Sequence, residues 1–322
     1  MPKHKKTQSR RKTLYCLKNW SEYDKALVQR GSIMLWMSDD FEKTWLYAGE
    51  KQRGSQFDYS DQAILIMLSV KEVFHLTNRG VEGFMRSMFQ LMKINLSVPD
   101  HSTLSKRSKD LKVNIPKKAR QTLNIVMDST GLKIYGEGEW KVRMHGVSNS
   151  KRRTWRKLHL GANPEDGEIQ AVLLTENSVS DDQTVDRLLD QIEQTILDFA
   201  ADGAYDKRKV YDSLNAHSPK VSILIPPRKN AHIWKHGNSK AERLKRDENL
   251  RTIRKQGRKA WKKNSGYHVR SLAETIMFRL KTIFGHELSA RLLETQTTQT
   301  LVRCAALNKM THLGMPQSYK VA

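Results

Sequence analysis

Two cysteines, Cys16 and Cys304, stand almost a chain length apart in 322 residues, so the sequence offers neither a disulfide framework nor a CxxC-type zinc site. That usage fits a reducing interior. Long apolar runs are also missing. The longest clean one, Ala63 to Leu68, falls far short of the ~20 residues that span a bilayer, and the basic N-terminus leads into no apolar stretch of the signal-peptide kind. The reading is a cytoplasmic protein with no membrane partner. Repeats and low-complexity tracts are absent beyond a few basic runs, which excludes a solenoid. Acidic residues are scarce, with 34 Asp and Glu facing 57 Lys and Arg for a formal net charge of +23. A hydrophobic share of 38% still suffices for a packed core, so general disorder is excluded.

The positive excess is concentrated. Residues 1–13 contribute +6 and residues 141–157 contribute +7, both without an acid. Residues 226–263 hold 14 basic and 3 acidic side chains, which leaves the other 254 residues at −1. Charge gathered in this way describes either solvated faces or tracks that meet a polyanion. Trp155, Trp234 and Trp261 lie among the clusters, placed for stacking or packing beside a phosphate backbone. Three such runs in one chain favour nucleic acid as the partner.

The pattern divides the chain. Residues 1–15 read as a basic disordered arm and 16–116 as a helical region. Ser21 with Asp24 resembles a capping box for a helix ended by Gly31. Helical periods follow from Ser60 and from Val81, with Thr77-Asn78-Arg79-Gly80 read as the turn between them. A third short helix near Ser102 exposes Lys106, Arg107 and Lys109. Residues 60–111 are thereby compatible with a helix-turn-helix unit, although three amphipathic helices in a row more often make an ordinary bundle.

From 117 to 290 the signals are mixed. Strands are expected at Leu123 to Met127, Trp140 to Met144, Leu158 to Leu160, Ile169 to Thr175, Ile196 to Ala201 and, last, Val221 to Ile225. Helices are expected at Asp181 to Ile192 and Lys207 to Leu214. That order predicts an α+β or α/β core, a mixed sheet with helices on its faces and a basic insertion at 226–263. Residues 291–322 form a C-terminal extension.

Asp128 and Asp202 each follow an apolar strand-like run and precede small residues. Two carboxylates at neighbouring strand ends suit a divalent cation, while each taken singly is also a turn former. A helical segment adds a third acid. Tyr267, Arg270, Glu274 and Lys281 project within an arc of about 60° at ~100° per residue, with Leu272, Ile276, Leu280 and Ile283 on the other side and Phe278 intruding on the polar face. This is a surface salt-bridge face or, with the two aspartates, a metal site with phosphate-holding cations beside it. His159 reads as packed or DNA-facing, and Asp206 as a cap. His145, His232 and His236 lack the partners of a zinc site.

The pattern Tyr-x2-Arg-x3-Glu-x6-Lys, with Asp128 in Met-Asp-Ser-Thr-Gly-Leu-Lys and Asp202 in Ala-Asp-Gly-Ala-Tyr-Asp, resembles the DDE transposases of bacterial insertion sequences, in particular the insertion-sequence-five group. The resemblance extends to Arg303-Cys304-Ala305-Ala306-Leu307-Asn308. It implies an RNase H-like five-stranded mixed sheet preceded by an all-helical DNA-binding region, with Asp128 ending the first strand, Asp202 the fourth, and Glu274 on a late helix. It further implies that Asp128, Asp202 and Glu274 hold two Mg²⁺ or Mn²⁺ ions for phosphodiester transfer on double-stranded DNA, both inverted repeats and target, with no small-molecule substrate. A homodimer on DNA and a place at the bacterial nucleoid are expected with it. Expected DNA contacts are Tyr267, Arg270, Lys281, Lys106, Arg107, Arg152, Arg153, Arg156, Lys157, Lys240, Arg243, Lys262 and Lys263. A nuclease or resolvase that cuts without joining, and a DNA-binding relative without chemistry, are the alternatives.

Overall fold

A computed structural model of the chain describes residues 14–38, 40–50, 54, 56–134, 155–235 and 244–321. Strand β1 (Leu14–Leu17) leads into six helices: α1 (Trp20–Arg30), the one-turn α2 (Ile33–Trp36) and α3 (Phe41–Thr44), α4 (Asp61–Val73), α5 (Asn78–Leu91) and α6 (His101–Arg107). The last three are capped at their N-termini by side chains. Ser60, Thr77 and Asp100 accept hydrogen bonds from the backbone N–H of Ala63, Gly80 and Thr103, which satisfies donors that a helix start otherwise leaves orphaned. Trp36, Phe41, Trp45 and Phe89 are buried where the short helices meet α4 and α5.

The sheet forms around a strand that is apolar toward both faces. In β2 (Thr122–Ile134), Val126 and Leu132 join one core while Leu123, Ile125 and Met127 join another, the pattern of a strand covered on both sides. With β3 (Arg156–Ala162), β4 (Ile169–Glu176), β5 (Thr195–Ala201) and β6 (Ser222–Leu224) the order is β4-β3-β2-β5-β6. Strands β3 and β4 run antiparallel as a meander from β2, and β5 and β6 lie parallel on its other side. A 3₁₀ turn at Asp181–Thr184 and the helices α7 (Val185–Leu189) and α8 (Arg208–His217) carry the crossovers on the Met127 face.

The Val126 face is covered by later elements. Helices α9 (Lys245–Gln256) and α10 (Arg258–Asn264) belong to the basic insertion; a 3₁₀ turn at Tyr267–Arg270 then leads into α11 (Ser271–Phe284). A two-residue strand β7 (Glu287–Leu288) extends β2 as a sixth strand, parallel to it. Helix α12 (Leu293–Leu313) packs between α4 and β4, and β8 (Ser318–Val321) returns to pair antiparallel with β1. Its buried polar residues have defined tasks. Asn308 receives Ile169 N–H at 2.8 Å and donates to Ile169 and Pro116 carbonyls, serving the start of β4 as a neighbouring strand would. Arg303 and Gln299 bond the buried Glu72 of α4.

The mixed sheet flanked by helices agrees with the expected fold class, with β7 making six strands where five were expected, and Asp202 does follow its fourth strand. Asp128, expected at a strand end, lies mid-strand, because pairing with β3 continues through Ser129-Thr130-Gly131 to Leu132. Gly131 permits this by leaving room for the Trp155 ring, which a Cβ there would approach to 3.1 Å. Thr77 to Gly80 is no turn but the capped opening of α5. Helix α1 starts at Trp20 rather than on a Ser21 capping box, and the Asn19 side chain is engaged with Met315 and Gln317 of the C-terminal tail. Val221 to Ile225 is not the last strand, since β7 and β8 follow. The strand expected at Trp140 to Met144 and two of the histidines, His145 and His236, fall outside the described residues.

Much of the basic insertion is bolted down. Arg246 is buried between Asp206, at 2.8 and 2.9 Å, and Asp247, at 3.1 Å, so Asp206 holds the insertion rather than merely capping α8. Arg228, Arg254 and Arg258 donate to backbone carbonyls. Replacing Arg246 with alanine leaves two buried carboxylates without their cation, and denaturant titration should show a loss of about 3–5 kcal/mol. A loss below about 1 kcal/mol would mean the pair does not hold the insertion.

Candidate active site

Strands β2 and β5 run parallel and pair up to Met127 opposite Ala201. Asp128 and Asp202 are the next residue on each. Alternation turns both toward the face of Val126 and Ala200, beneath α11. Each is fixed by a local N–H, Ser129 N to Asp128 Oδ1 at 2.9 Å and Ala204 N to Asp202 Oδ1 at 2.8 Å. Glu274 comes from the first turn of α11. Between the elements stands Arg270, whose guanidinium donates to Asp128 Oδ2 at 2.7 Å and, through its other terminal nitrogen, to Glu274 Oε1. About two turns beyond Glu274 on α11, Lys281 donates to the Thr130 hydroxyl.

The electrostatics show that these groups share one space. Burial pushes the Asp128 carboxyl above its ordinary value; Ser129 N–H and Arg270 oppose the shift, and the Asp202 and Glu274 charges add to it. Burial likewise carries the Tyr267 hydroxyl up to about 12, with Arg270 opposing and Asp202, Asp128 and Glu274 reinforcing. Burial acts to lower the Arg270 pKa, but Asp128, Tyr267, Glu274 and Asp202 prevail and raise it. Burial lowers Lys281.

Three carboxylates and no softer ligand form a donor set for a hard divalent cation. Among the described residues no three His, Cys, Asp or Glu side chains are gathered closely enough to grip an ion as they stand. Arg270 is the reason visible in the geometry, because its positive charge fills the gap between Asp128 and Glu274. Burial, reinforced by the Asp202 and Glu274 charges, raises Asp128, and a divalent cation relieves that cost, so the residues fit Mg²⁺ or Mn²⁺.

The polar face expected from Tyr267 to Lys281 is thus assembled, as a 3₁₀ turn followed by a helix. Tyr267 is buried, its ring 5.7 Å from that of Trp261 and 5.2 Å from Lys262 Nζ. Phe278 lies 69% exposed on the site face, and Leu272, expected inside, is exposed as well. Trp261 is buried and Trp234 sits under Arg246 at 3.8 Å, so both pack within the protein. Lys262 and Lys263 are exposed on α10, and Lys106 at the end of α6. Arg107, expected to be free, is bonded to Tyr59 and Asp61 and lies 3.9 Å over the Phe57 ring. Arg156 bonds Gln296 of α12 and Lys157 pairs with Asp181 of the 3₁₀ turn at 2.9 Å, so neighbouring side chains rather than solvent hold them. Arg152, Arg153, Lys240 and Arg243 lie outside the described residues. Sequence reasoning missed Thr130 and Ser129, whose contacts depend on cross-sheet pairing that local spacing does not carry.

Two family models described as Transposase DDE domain match the chain, one over residues 120–309 and the other over residues 28–137. Among solved structures, the Drosophila P element transposase strand transfer complex is similar at 10% identity over 88% of this chain and 70% of that one. Its TM-score of 0.30 is too low to bear on the site.

The raised Asp128 pKa fixes the sign of a pH effect. A carboxyl that ionises less readily folded than unfolded opposes folding once pH exceeds both values, and that cost disappears as pH falls below the unfolded value of about 3.9. In chelator, Asp128→Asn should therefore melt above the wild type at pH 7, with the gap closing toward pH 4. An Asp128→Asn protein melting below the wild type at pH 7 would contradict the crowding of charge at this site.

Proposed function

Because the chain belongs to the family of DDE-domain transposases, one match spanning more than half its length, we propose that it binds the terminal inverted repeats of a bacterial insertion sequence, cuts the element ends and joins the freed 3′-hydroxyl to target DNA. The observation that carries this reading is that Asp128, Asp202 and Glu274, from two adjacent strands and one helix, lie near enough for the Asp202 and Glu274 charges to help raise the Asp128 carboxyl, with Arg270 bonded between Asp128 and Glu274. No helix among the described residues is long and apolar enough to cross a membrane, and the nucleoid is the proposed place of action.

Asp128, Asp202 and Glu274 would hold two Mg²⁺ or Mn²⁺ ions, which when bound activate an attacking oxygen and stabilise a leaving one in an in-line displacement. The chain's own groups do the rest. Arg270, freed from Asp128 and Glu274, would turn its planar fork to a phosphate beside the scissile bond. Lys281 would place a second charge along the same strand from its seat on Thr130. Tyr267, packed under Trp261, would hold the base of the insertion against the site and position the DNA backbone. Water is the first nucleophile and the 3′-hydroxyl the second, so no covalent enzyme intermediate is required. Two ends must meet, which calls for a homodimer on DNA.

Incubation of the purified protein with Mg²⁺ and DNA bearing candidate inverted repeats tests the reading. Joined products are expected. Cut products alone would favour a nuclease or resolvase, and a retarded band without either would favour a DNA-binding relative. Glu274→Gln should keep DNA binding and lose about 10³-fold or more in cleavage, since several kcal/mol of charge stabilisation disappear with a ligand. Continued cutting by Glu274→Gln would remove Glu274 from the ligand set.

The exposed lysines Lys255, Lys259, Lys262 and Lys263 form the outward part of the proposed DNA track. Neutralising all four should weaken binding to every sequence and reduce the slope of log affinity against log salt by up to about 4. An unchanged slope would place the track elsewhere.

A further inference from the structure

Helix α11 carries one large apolar side chain that its packing does not use. Ala273, Ile276, Met277, Leu280 and Phe284 form its buried side. Phe278 projects about 140° from the centre of that side, at ~100° per residue, and is 69% exposed. Among the described residues no aromatic ring or cation stacks on it. A single exposed phenylalanine is ordinary on a protein surface, so its neighbours decide what it can do.

Those neighbours are the groups of the site. Glu274 precedes Phe278 by four residues and Lys281 follows it by three, the two spacings that make helical side chains adjacent. Arg270 bonds Glu274, and Lys281 reaches Thr130, so the ring stands on the same face as the groups that meet β2. The remaining surface around it is polar, with Ser271, Thr275 and Thr282 all exposed. Leu272, the other exposed apolar residue of α11, lies about 120° away around the helix. One ring among hydroxyls and charges offers no contiguous apolar patch for a protein partner. It does suit the flat face of a nucleobase, whose phosphates the flanking cation can hold.

The proposed reaction leaves such a base exposed. In a stacked duplex the bases on either side of a phosphate hold it in line with its neighbours. Bringing that phosphate down to carboxylates set between two strands and a helix bends the backbone and opens the stack, and an unstacked base needs a new apolar surface to cover it. Phe278 lies about 6 Å along the helix from Glu274, less than two base steps of roughly 3.4 Å, and so within reach of the base beside the scissile bond. We propose that Phe278 stacks on this base and holds the DNA open at the carboxylates while Lys281 carries the adjoining backbone charge. The inference rests on the reading of Glu274 as a metal ligand in a DNA-cutting site.

Duplex DNA bearing a candidate inverted repeat tests it, once cleavage by the full-length protein has mapped the cut. With 2-aminopurine beside the cut and Ca²⁺ in place of Mg²⁺, the wild type should raise its fluorescence, and Phe278→Ala at saturating protein should not. In Mg²⁺, Phe278→Ala should cut the paired duplex about 5- to 150-fold more slowly, the effect of losing one base stacked on an aromatic ring. A mismatch beside the cut should restore most of that rate, because the base is then already unpaired, and Phe278→Trp should act as the wild type does. Melting of Phe278→Ala should match the wild type, since the ring packs on nothing. Wild-type cutting by Phe278→Ala, or equal slowing on paired and mismatched DNA, would overturn the proposal. A wild type that cuts and joins while the 2-aminopurine stays dark would overturn it too and leave the transposase reading standing. A fluorescence rise that needs Phe278, in a protein that cuts but never joins, would defeat the transposase reading and leave the stacking role in place.

Discussion

Everything at the site depends on keeping three carboxylates together. The Asp202 and Glu274 charges repel the Asp128 carboxylate in a partly buried space, and burial further disfavours the charged form of Asp128. Arg270 resolves the conflict by standing between Asp128 and Glu274 as an internal cation. Its location follows from the chain. The left-handed Gly266 turns the backbone into the 3₁₀ turn at Tyr267–Arg270, and the helix that continues from it sets Glu274 one turn further on. A guanidinium in that place offsets the charge of the two carboxylates it touches, and under the proposed function it would be released to metal and phosphate.

The surrounding fold makes the arrangement rigid. Strands β2 and β5 are central and pair in parallel, so the two aspartates occupy equivalent steps on adjacent strands. Helix α12 ties the Glu72 of α4 to Arg303 and the start of β4 to Asn308, joining the N-terminal helices to the sheet through buried polar contacts. The basic insertion attaches beside the site as well. Arg246 grips Asp206, and Arg228 donates to the carbonyls of Gly203 and Ala204, which immediately follow Asp202. The surface proposed to track DNA is thus fastened to the loop that carries a proposed ligand.

The sequence announced what local spacing and periodicity encode. The Tyr267, Arg270, Glu274 and Lys281 face was visible because helical geometry relates residues three, seven and fourteen apart. The strands around Asp128 and Asp202 were visible as apolar runs, although the continuation of β2 past Asp128 was hidden, since Ser129-Thr130-Gly131 favours a turn until β3 pairs with it. Contacts made across the fold were not legible. Arg107 looked free until Asp61 and Phe57 were beside it, and Asp206 looked like a cap until Arg246 arrived from 40 residues away. The exposure of Phe278 was anticipated as an apolar residue on a polar face, and no contact in the structure accounts for it. Charge clusters were overcounted as surface for the same reason, because Arg246 and Arg258 are engaged inside the protein.

The central claim is that Asp128, Asp202 and Glu274 form one site for divalent metal and that Arg270 yields to it. A crystal structure of the protein soaked in Mn²⁺, with anomalous scattering measured at the manganese edge, tests this most directly. The account predicts anomalous density bounded by the three carboxylates, with the Arg270 guanidinium no longer bridging Asp128 and Glu274. Manganese bound elsewhere, or Arg270 still between the two carboxylates at saturating Mn²⁺, would contradict it.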